Sequence, residues 1–247
     1  MKTFDFYEFA GILVPGAVLL FGLVQLIPGL AAALGGKELV VGNLGPFVVL
    51  SYAAGHIVQA LGTLIEPRLW ALRWWGGALP TDRIWGDVKT GKGGVLSPPQ
   101  IATLAAQLQP KLGLTTPLDP STLNKSAWPG LTRQVYAAVA ASNRASRVDI
   151  FNGTYGMMRG LACSLLILLA VIAGHILIAL IPFVHSGVPG GTILRLAAID
   201  VVLLLMVLLI LYRMYRFGLY YGRELFVQFL QLPLHSADTT TPPTGTP

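Results

Sequence analysis

Four long apolar stretches constrain the fold of this chain more than any other feature of its sequence. Each is 17–21 residues long, and together they cover Phe9–Ile27, Phe47–Ile65, Leu161–Ile181 and Leu196–Tyr212. About 20 helical residues cross a hydrocarbon core about 30 Å thick. Charged residues make up only 11% of the chain, against roughly 25% in soluble domains. The sequence therefore predicts an all-α, polytopic integral membrane protein with four transmembrane helices.

The distribution of basic residues predicts the orientation of these helices. If residues 1–8, 66–159 and 213–247 lie in the cytoplasm, they hold 15 of the 17 lysines and arginines. Only Lys37 and Arg195 then fall in the two opposite loops. Such an excess of positive charge marks the cytoplasmic side of a membrane protein. We expect a multi-pass protein of the bacterial inner (plasma) membrane with both termini in the cytoplasm.

The spans divide the chain into two membrane hairpins with a helical region between them. We expect the first hairpin in residues 1–65 and a mostly helical cytoplasmic insertion in 66–158. The second hairpin is expected in 159–232, where Arg213–Leu232 continues the fourth span as an interfacial helix. Residues 233–247 are rich in Thr and Pro and are expected to be disordered.

Prolines and capping residues set the predicted local structure of the insertion. Pro80–Gly94 is predicted to form turns. Ser97-Pro98-Pro99-Gln100 is typical of a capping box with proline at the first helical position, and it opens a helix predicted to end near Gln109. A further helix is expected to start near Leu131 and, since no proline breaks it, to run into the third span with only glycine interruptions.

The insertion is basic, because residues 66–159 hold eleven basic and five acidic side chains. We interpret this charge as orientation charge that contacts anionic lipid headgroups. Binding of a nucleotide or nucleic acid stays open, although Gly86–Gly93 is not a phosphate-binding loop, since Gly93 replaces the required Ser or Thr. The basic residues expected at the inner face are Arg68, Arg73, Arg144, Arg147, Arg159, Arg213 and Arg216.

The first span contains a proline and has two possible fates. Pro15 removes an intrahelical hydrogen bond and is expected to kink or unwind the helix, which is tolerable where a neighbour satisfies the backbone. A cleavable signal peptide is one fate, since Lys2 precedes the stretch and Ala31-Ala32-Ala33 offers a small-residue cleavage pattern. The acidic Asp5 and Glu8, together with the length of the apolar run, favour a retained span.

Polar side chains form one stripe along the second span. Its members are Tyr52, His56, Gln59, Thr63 and Glu66. At about 100° per residue they fall within about 80° of one helical face. Lipid cannot satisfy polar groups at membrane depth, so the stripe must face protein or water. It is either a hydrogen-bonded interface between helices or a water-lined path within the bundle or through an oligomer.

His175 and Asp200 form a second candidate polar site within the membrane. Both lie near the outer ends of the last two spans, roughly 8–10 Å deep on adjacent antiparallel helices. An unpaired carboxylate is costly at that depth. We expect Asp200 to pair with His175 or with a neighbouring polar group, the alternative being that it reaches up to the interface.

Motifs for catalysis are missing from the sequence. The chain has no G-x-S-x-G or H-E-x-x-H motif, and the single cysteine, Cys163, excludes an intrachain disulfide or a multi-cysteine metal site. We expect no catalytic, metal-binding or cofactor-binding residues and no cofactor. The minor alternative is an intramembrane enzyme that draws on Ser51, Ser164, His56, His175 and Asp200.

The first third of the chain also resembles a family. Its opening, FDFYEFAGILVPGAVLLF, followed by YAAGHIVQALGTLIE, is similar to poorly characterised bacterial multi-span membrane proteins of antiphage-defence operons. The shared pattern is an aromatic run, a Pro-Gly in the first span and a Gly-His in the second. The resemblance implies an oligomeric membrane effector or anchor beside a cytoplasmic sensor, and it implies no catalytic residues.

Together, these features favour a non-enzymatic, self-associating membrane protein. We expect it to perturb the membrane as an effector, through a pore, or to serve as an anchor, under the control of its cytoplasmic region and in phage defence. The expected partners are membrane lipids, further copies of the chain and a cytoplasmic protein. A small constitutive transporter or channel is the main alternative, and few acidic residues in the spans weigh against a coupled transporter.

Overall fold

The computed structural model describes residues 6–33, 44–114, 124–180 and 190–234, and the regular elements in them are helices. In chain order they are α1 (Phe6–Leu26), α2 (Pro28–Ala33), α3 (Leu44–Ala71), α4 (Pro80–Thr90), α5 (Pro98–Leu112), α6 (Trp128–Ala141), α7 (Ser146–Leu180) and α8 (Gly190–Leu230). A single 3₁₀ turn, Arg73–Trp75, follows α3. Most of the tail predicted to be disordered, 235–247, lies outside the described residues, as do positions 34–43 and 181–189 of the outer loops.

Four of these helices, α1, α3, α7 and α8, are long and apolar enough to cross a membrane. They coincide with the four predicted spans, so the prediction of an all-α, polytopic membrane protein is confirmed. Helices α7 and α8 have 35 and 41 residues, which makes them about 52 and 61 Å long at 1.5 Å per residue. Since the hydrocarbon core is about 30 Å thick, both helices continue well beyond it.

The described chain divides into two compact units. Unit 1 comprises Met1–Gly77 and Ile150–Gly218, and unit 2 comprises Ala78–Asp149 and Leu219–Pro247. Residues 66–77 and 150–158 group with the membrane helices in unit 1, although the predicted insertion, 66–158, includes them. Unit 2 in turn includes the last part of α8.

In unit 1, α1 and α3 touch backbone to backbone. A Cβ atom on Gly16 would overlap the Ser51 carbonyl oxygen, and one on Gly55 would overlap the Ile12 carbonyl oxygen. Only glycine permits this approach, which is typical of close contacts between membrane helices. One apolar cluster then joins all four membrane helices through Leu19, Val58, Cys163, Leu165, Leu168 and Val207.

Unit 2 has a hydrophobic core of its own. The rings of Trp128 and Phe226 stack with their centroids 5.4 Å apart, and Trp128 Nε1 donates a hydrogen bond to the Thr81 carbonyl at 2.9 Å. Leu225 and Phe229 of α8 are fully buried in the same core. The end of α8 therefore differs from the predicted interfacial helix, because it packs against protein along this face.

Lys111 of α5 caps the end of α8. Its Nζ donates to the carbonyls of Phe229 at 3.2 Å and Leu230 at 2.5 Å, where the helix ends. The last carbonyls of a helix lack helical partners and carry partial negative charge, so an ammonium group stabilises them. Burial lowers the pKa of the Lys111 amine, because desolvation disfavours its charged form.

The predicted local structure of the insertion is partly right. Ser97 N donates to Gln100 Oε1 at 3.0 Å, which confirms the predicted capping box at the start of α5. The prediction of turns over Pro80–Gly94 is wrong. Pro80 is instead the first residue of α4, a position where its missing N–H costs nothing, and Gly91 caps the helix at a φ of 67°.

The prediction of one helix running from Leu131 into the third span is also wrong, because α6 is capped at Ser142 and the left-handed Asn143 after it separates α6 from α7. Asn143 has a φ of 56°, in the left-handed region. Arg144 N donates to the Val139 oxygen at 3.1 Å, and Asn143 N donates to the Ala140 oxygen at 3.0 Å. These are the two bonds of a Schellman motif, in which asparagine can replace glycine.

We expect Gly55→Ala to destabilise the detergent-solubilised protein by about 1–3 kcal/mol, because the new methyl group overpacks the α1–α3 contact. The matched control is Gly174→Ala in α7, where an added Cβ meets nothing within 4 Å. The control variant should be at least as stable as the unsubstituted protein, since alanine is a better helix former than glycine. Thermal unfolding measures both variants, and equal melting temperatures would contradict the contact.

Candidate functional site: a polar cluster among the membrane helices

The polar side chains that come together in unit 1 lie between α1, α3 and α7, with Gln59 at their centre. Pro15 has no N–H, so the carbonyl of Gly11, four residues earlier, loses its helical hydrogen bond. Gln59 Nε2 donates to that Gly11 oxygen at 2.8 Å and to the Gly156 oxygen of α7 at 3.0 Å. Helix α1 therefore continues through Pro15, because a side chain of α3 replaces the missing bond.

Gln59 also contacts a partly buried ion pair. Arg159 Nη2 donates to Gln59 Oε1 at 3.2 Å, and Arg159 Nη1 donates to Glu66 Oε2 at 2.5 Å. The side chains of Arg159 and Glu66 are only 22% and 14% exposed. Glu66 Oε1 accepts a further bond from the Tyr155 hydroxyl, which accepts one from Trp70 Nε1 at 2.7 Å. Buried charges need such pairing and hydrogen bonding. We call these five residues the polar cluster.

Aromatic rings surround the Trp70 end of the polar cluster. Trp70 is fully buried, and its ring centroid lies 5.2 Å from that of Trp75 and 5.4 Å from that of Tyr215. The Tyr155 ring is 6.5 Å away by the same measure. These rings replace water around the hydrogen bonds, and in such a low dielectric the bonds are stronger than in solution.

A small pocket lies beside the ion pair. Arg159 Nε is buried and has no hydrogen-bond partner among the described residues. The pocket that Arg159 lines together with Gly62, Cys163 and Met214 has a volume of about 10 Å³, which is room for about one water molecule. This pocket is too small for a solute or a cofactor.

The predicted polar stripe of α3 is divided between two environments. Gln59 and Glu66 belong to the polar cluster and make the hydrogen bonds of a helix interface. Tyr52, His56 and Thr63 are exposed. Thr63 donates to the Gln59 carbonyl of its own helix at 2.9 Å. His56 makes no hydrogen bond to another described residue, and its ring packs edge-on against Tyr52 with the centroids 4.7 Å apart.

The predicted pair of His175 and Asp200 is not formed among the described residues. His175 is exposed, and its Nδ1 lies 2.8 Å from the Val171 oxygen, four residues earlier in α7. Asp200 Oδ1 is buried without a hydrogen-bond partner in the described part of the chain. His175 Nδ1 is engaged within its own helix instead, and neither ring nitrogen contacts Asp200 in the described part of the chain.

The basic residues expected at the inner face have different surroundings in the structure. Glu66 and Gln59 bind the guanidinium of Arg159, and contact of this residue with headgroups stays a prediction. In unit 2, Arg147 Nε lies 3.4 Å from Glu224 Oε1, and Arg144 Nη1 donates to Gln231 at 3.2 Å. The others are exposed on the surface of unit 1: Arg68, Arg73, Arg213 and Arg216.

The two serines weighed as possible nucleophiles are fully buried. Ser164 Oγ donates to the Pro15 carbonyl at 2.8 Å. Ser51 lies at the close contact between α1 and α3, where its carbonyl oxygen faces Gly16. Within the described ranges, no group of three or more His, Cys, Asp or Glu side chains could hold a metal ion. Both serines therefore contribute to helix packing in this structure.

Sequence reasoning found Gln59 and Glu66 but missed Tyr155 and Trp70. A signal for the ion pair was present, because Glu66 follows the second span directly and Arg159 precedes the third. Opposite charges at the same membrane face of two antiparallel helices are candidates for pairing. No such signal identifies Tyr155, whose hydroxyl reaches Glu66 only through the packing of α3 on α7.

No known protein family, curated protein or solved structure matches this chain. We therefore argue its function from the geometry of the polar cluster and of the exposed part of the α3 stripe.

We expect Arg159→Met to lower the free energy of unfolding by about 3 kcal/mol, the lower end of the range for buried pairs, because Glu66 then keeps a partly buried, unpaired charge. The double variant Glu66→Gln/Arg159→Met should lose less than the sum of the two single variants, which thermal unfolding in detergent would measure. The control is Arg68→Met, an exposed residue whose Nη1 donates to the Leu64 carbonyl of its own helix. It should change stability by less than about 0.5 kcal/mol. Strictly additive losses would rule out the coupling.

Proposed function

We propose that this chain is a non-enzymatic, self-associating protein of the bacterial inner membrane that perturbs the membrane as an effector or anchors a partner there. The observation that carries the proposal is the division of the α3 stripe. The polar atoms of Gln59 and Glu66 are engaged between helices, whereas Tyr52 and His56 are exposed. Lipid cannot satisfy an imidazole at membrane depth, so a second chain or water must do so.

The packing of unit 1 weighs against a path through a single chain. The polar groups that would line such a path are Gln59, Glu66 and Arg159, and each bonds to a neighbouring helix. A single-chain transporter or channel is therefore the second candidate. A path between copies of the chain would use the polar groups that remain free on the outside of α3.

The membrane-crossing part of α8 packs even less against the rest of the chain than α3 does. Only 6% of the 18-residue apolar stretch by which it could cross a membrane is buried. Leu194, Leu205 and Leu209 are 74%, 61% and 61% exposed. Apolar exposure suits lipid as well as it suits a partner helix. This helix supports residence in the membrane but does not distinguish between lipid and a partner.

We propose that the controlling cytoplasmic protein binds to unit 2. Its own core gives it a folded surface that a cytoplasmic protein can bind, and the 15-to-2 split of basic residues favours the cytoplasm for unit 2 and for both termini. The resemblance of the first third of the chain to membrane proteins of antiphage-defence operons supports phage defence as the setting.

Dye release from liposomes containing the purified full chain tests the proposal. Because a path between copies needs more than one chain, we expect release to rise more steeply than linearly with the protein-to-lipid ratio. Subunit counting by single-molecule photobleaching, on the same samples, should find more than one copy per particle.

Three other outcomes are informative. Release proportional to protein density, with one copy per particle, would favour a single-chain channel. Particles with several copies but no dye release would favour a membrane anchor over a membrane-perturbing effector. Single copies at every density, without release, would contradict self-association.

A further inference from the structure

The exposed face of α3 is divided lengthwise into two halves of different chemistry. One half carries small and polar side chains: Ala53, His56, Ala60 and Thr63, all exposed. The other half carries bulky aliphatic side chains: Ile57, Leu61 and Leu64, which are 62%, 39% and 63% exposed. Lipid tails suit the aliphatic half, whereas small residues are typical of contacts between membrane helices.

The small and polar half has the spacing of a helix-pairing seam. Its four residues are separated by three, four and three positions, which is the a and d pattern of a heptad repeat. The same spacing continues to Val49 on one side and Pro67 on the other, and both are exposed. A seam with this 3.5-residue period keeps facing one partner along the whole helix.

We infer that this α3 seam, formed by Ala53, His56, Ala60 and Thr63, binds the same seam of a second copy of the chain. The inference rests on the proposed self-association and names its surface. Copies in one membrane share one orientation, so two α3 helices that meet through a two-fold axis run parallel. Each residue of such an interface then meets its own counterpart at the same depth.

His56 makes the seam self-complementary. It is the central residue of the predicted span Phe47–Ile65, about 13 Å from either end. A neutral imidazole has one donor and one acceptor nitrogen, so two copies can hydrogen-bond to each other. Ala53 and Ala60, three residues before it and four after, leave room for the two helices to approach. Neither a lipid tail nor an aliphatic helix offers His56 a partner.

Cysteine cross-linking in the full chain, reconstituted in liposomes, tests this inference. In a Cys163→Ser background, Ala53→Cys and Ala60→Cys should form disulfides between copies roughly tenfold more than Ile57→Cys and Leu61→Cys, because only the seam pairs come within bonding distance. Ile57 lies between the two seam positions and Leu61 follows Ala60 directly, so the aliphatic pair is the matched control.

His56→Leu adds an independent measurement by photobleaching. It should weaken the association of copies about three- to tenfold, while Leu64→Ile, on the aliphatic half, should leave it unchanged. Several copies per particle with cross-links at Ile57 and Leu61 rather than at the seam would overturn this inference and leave self-association standing. Single copies throughout would overturn both.

Discussion

A proline in α1 and a glutamine in α3 make the interaction on which the packing of unit 1 depends. Pro15 leaves the Gly11 carbonyl without a helical donor, and an unpaired carbonyl between packed helices is costly. Gln59 supplies that donor and uses its second N–H for α7. Its oxygen accepts from Arg159. One amide thus holds three helices, and each of its polar atoms is satisfied.

The position of Gln59 fixes the rotation of α3, and the rest of the stripe follows from it. His56 lies three residues before Gln59, about 60° around the helix, and so it is carried to the outside. Gly55, four residues before Gln59, is carried instead toward α1, where only glycine fits. Glu66 comes seven residues later, on the same side as Gln59, and meets Arg159. The position of Gln59 therefore explains both why the His56 imidazole is exposed and why the polar groups of Gln59 and Glu66 are engaged between helices.

The sequence was sufficient to predict the four spans, since an apolar run of 17–21 residues is typical of a transmembrane helix. It was also sufficient for the polar stripe, because helical periodicity places Gln59 and Glu66 on one face. It could not tell which stripe residues face inward, because that depends on the carbonyl freed by Pro15 in another helix. The partners of Arg159 were missed for a similar reason: a basic side chain can bind headgroups as well as Glu66, and only the packing of α3 on α7 brings Arg159 and Glu66 together. The break at Asn143 was missed because asparagine, unlike glycine, seldom ends a helix.

We propose that α3 has three distinct faces: one toward the bundle, one toward lipid and one toward a second copy. Photolabelling of the unmodified protein by a lipid with a carbene-generating tail, with the labelled residues read by mass spectrometry, tests it most directly. We predict label on Ile57 and Leu64 in all samples, label on His56 and Ala60 only when copies are diluted apart, and none on Val58. Label on the buried Val58, or equal label on His56 and Ile57 when the copies are associated, would contradict this division of α3 into three faces.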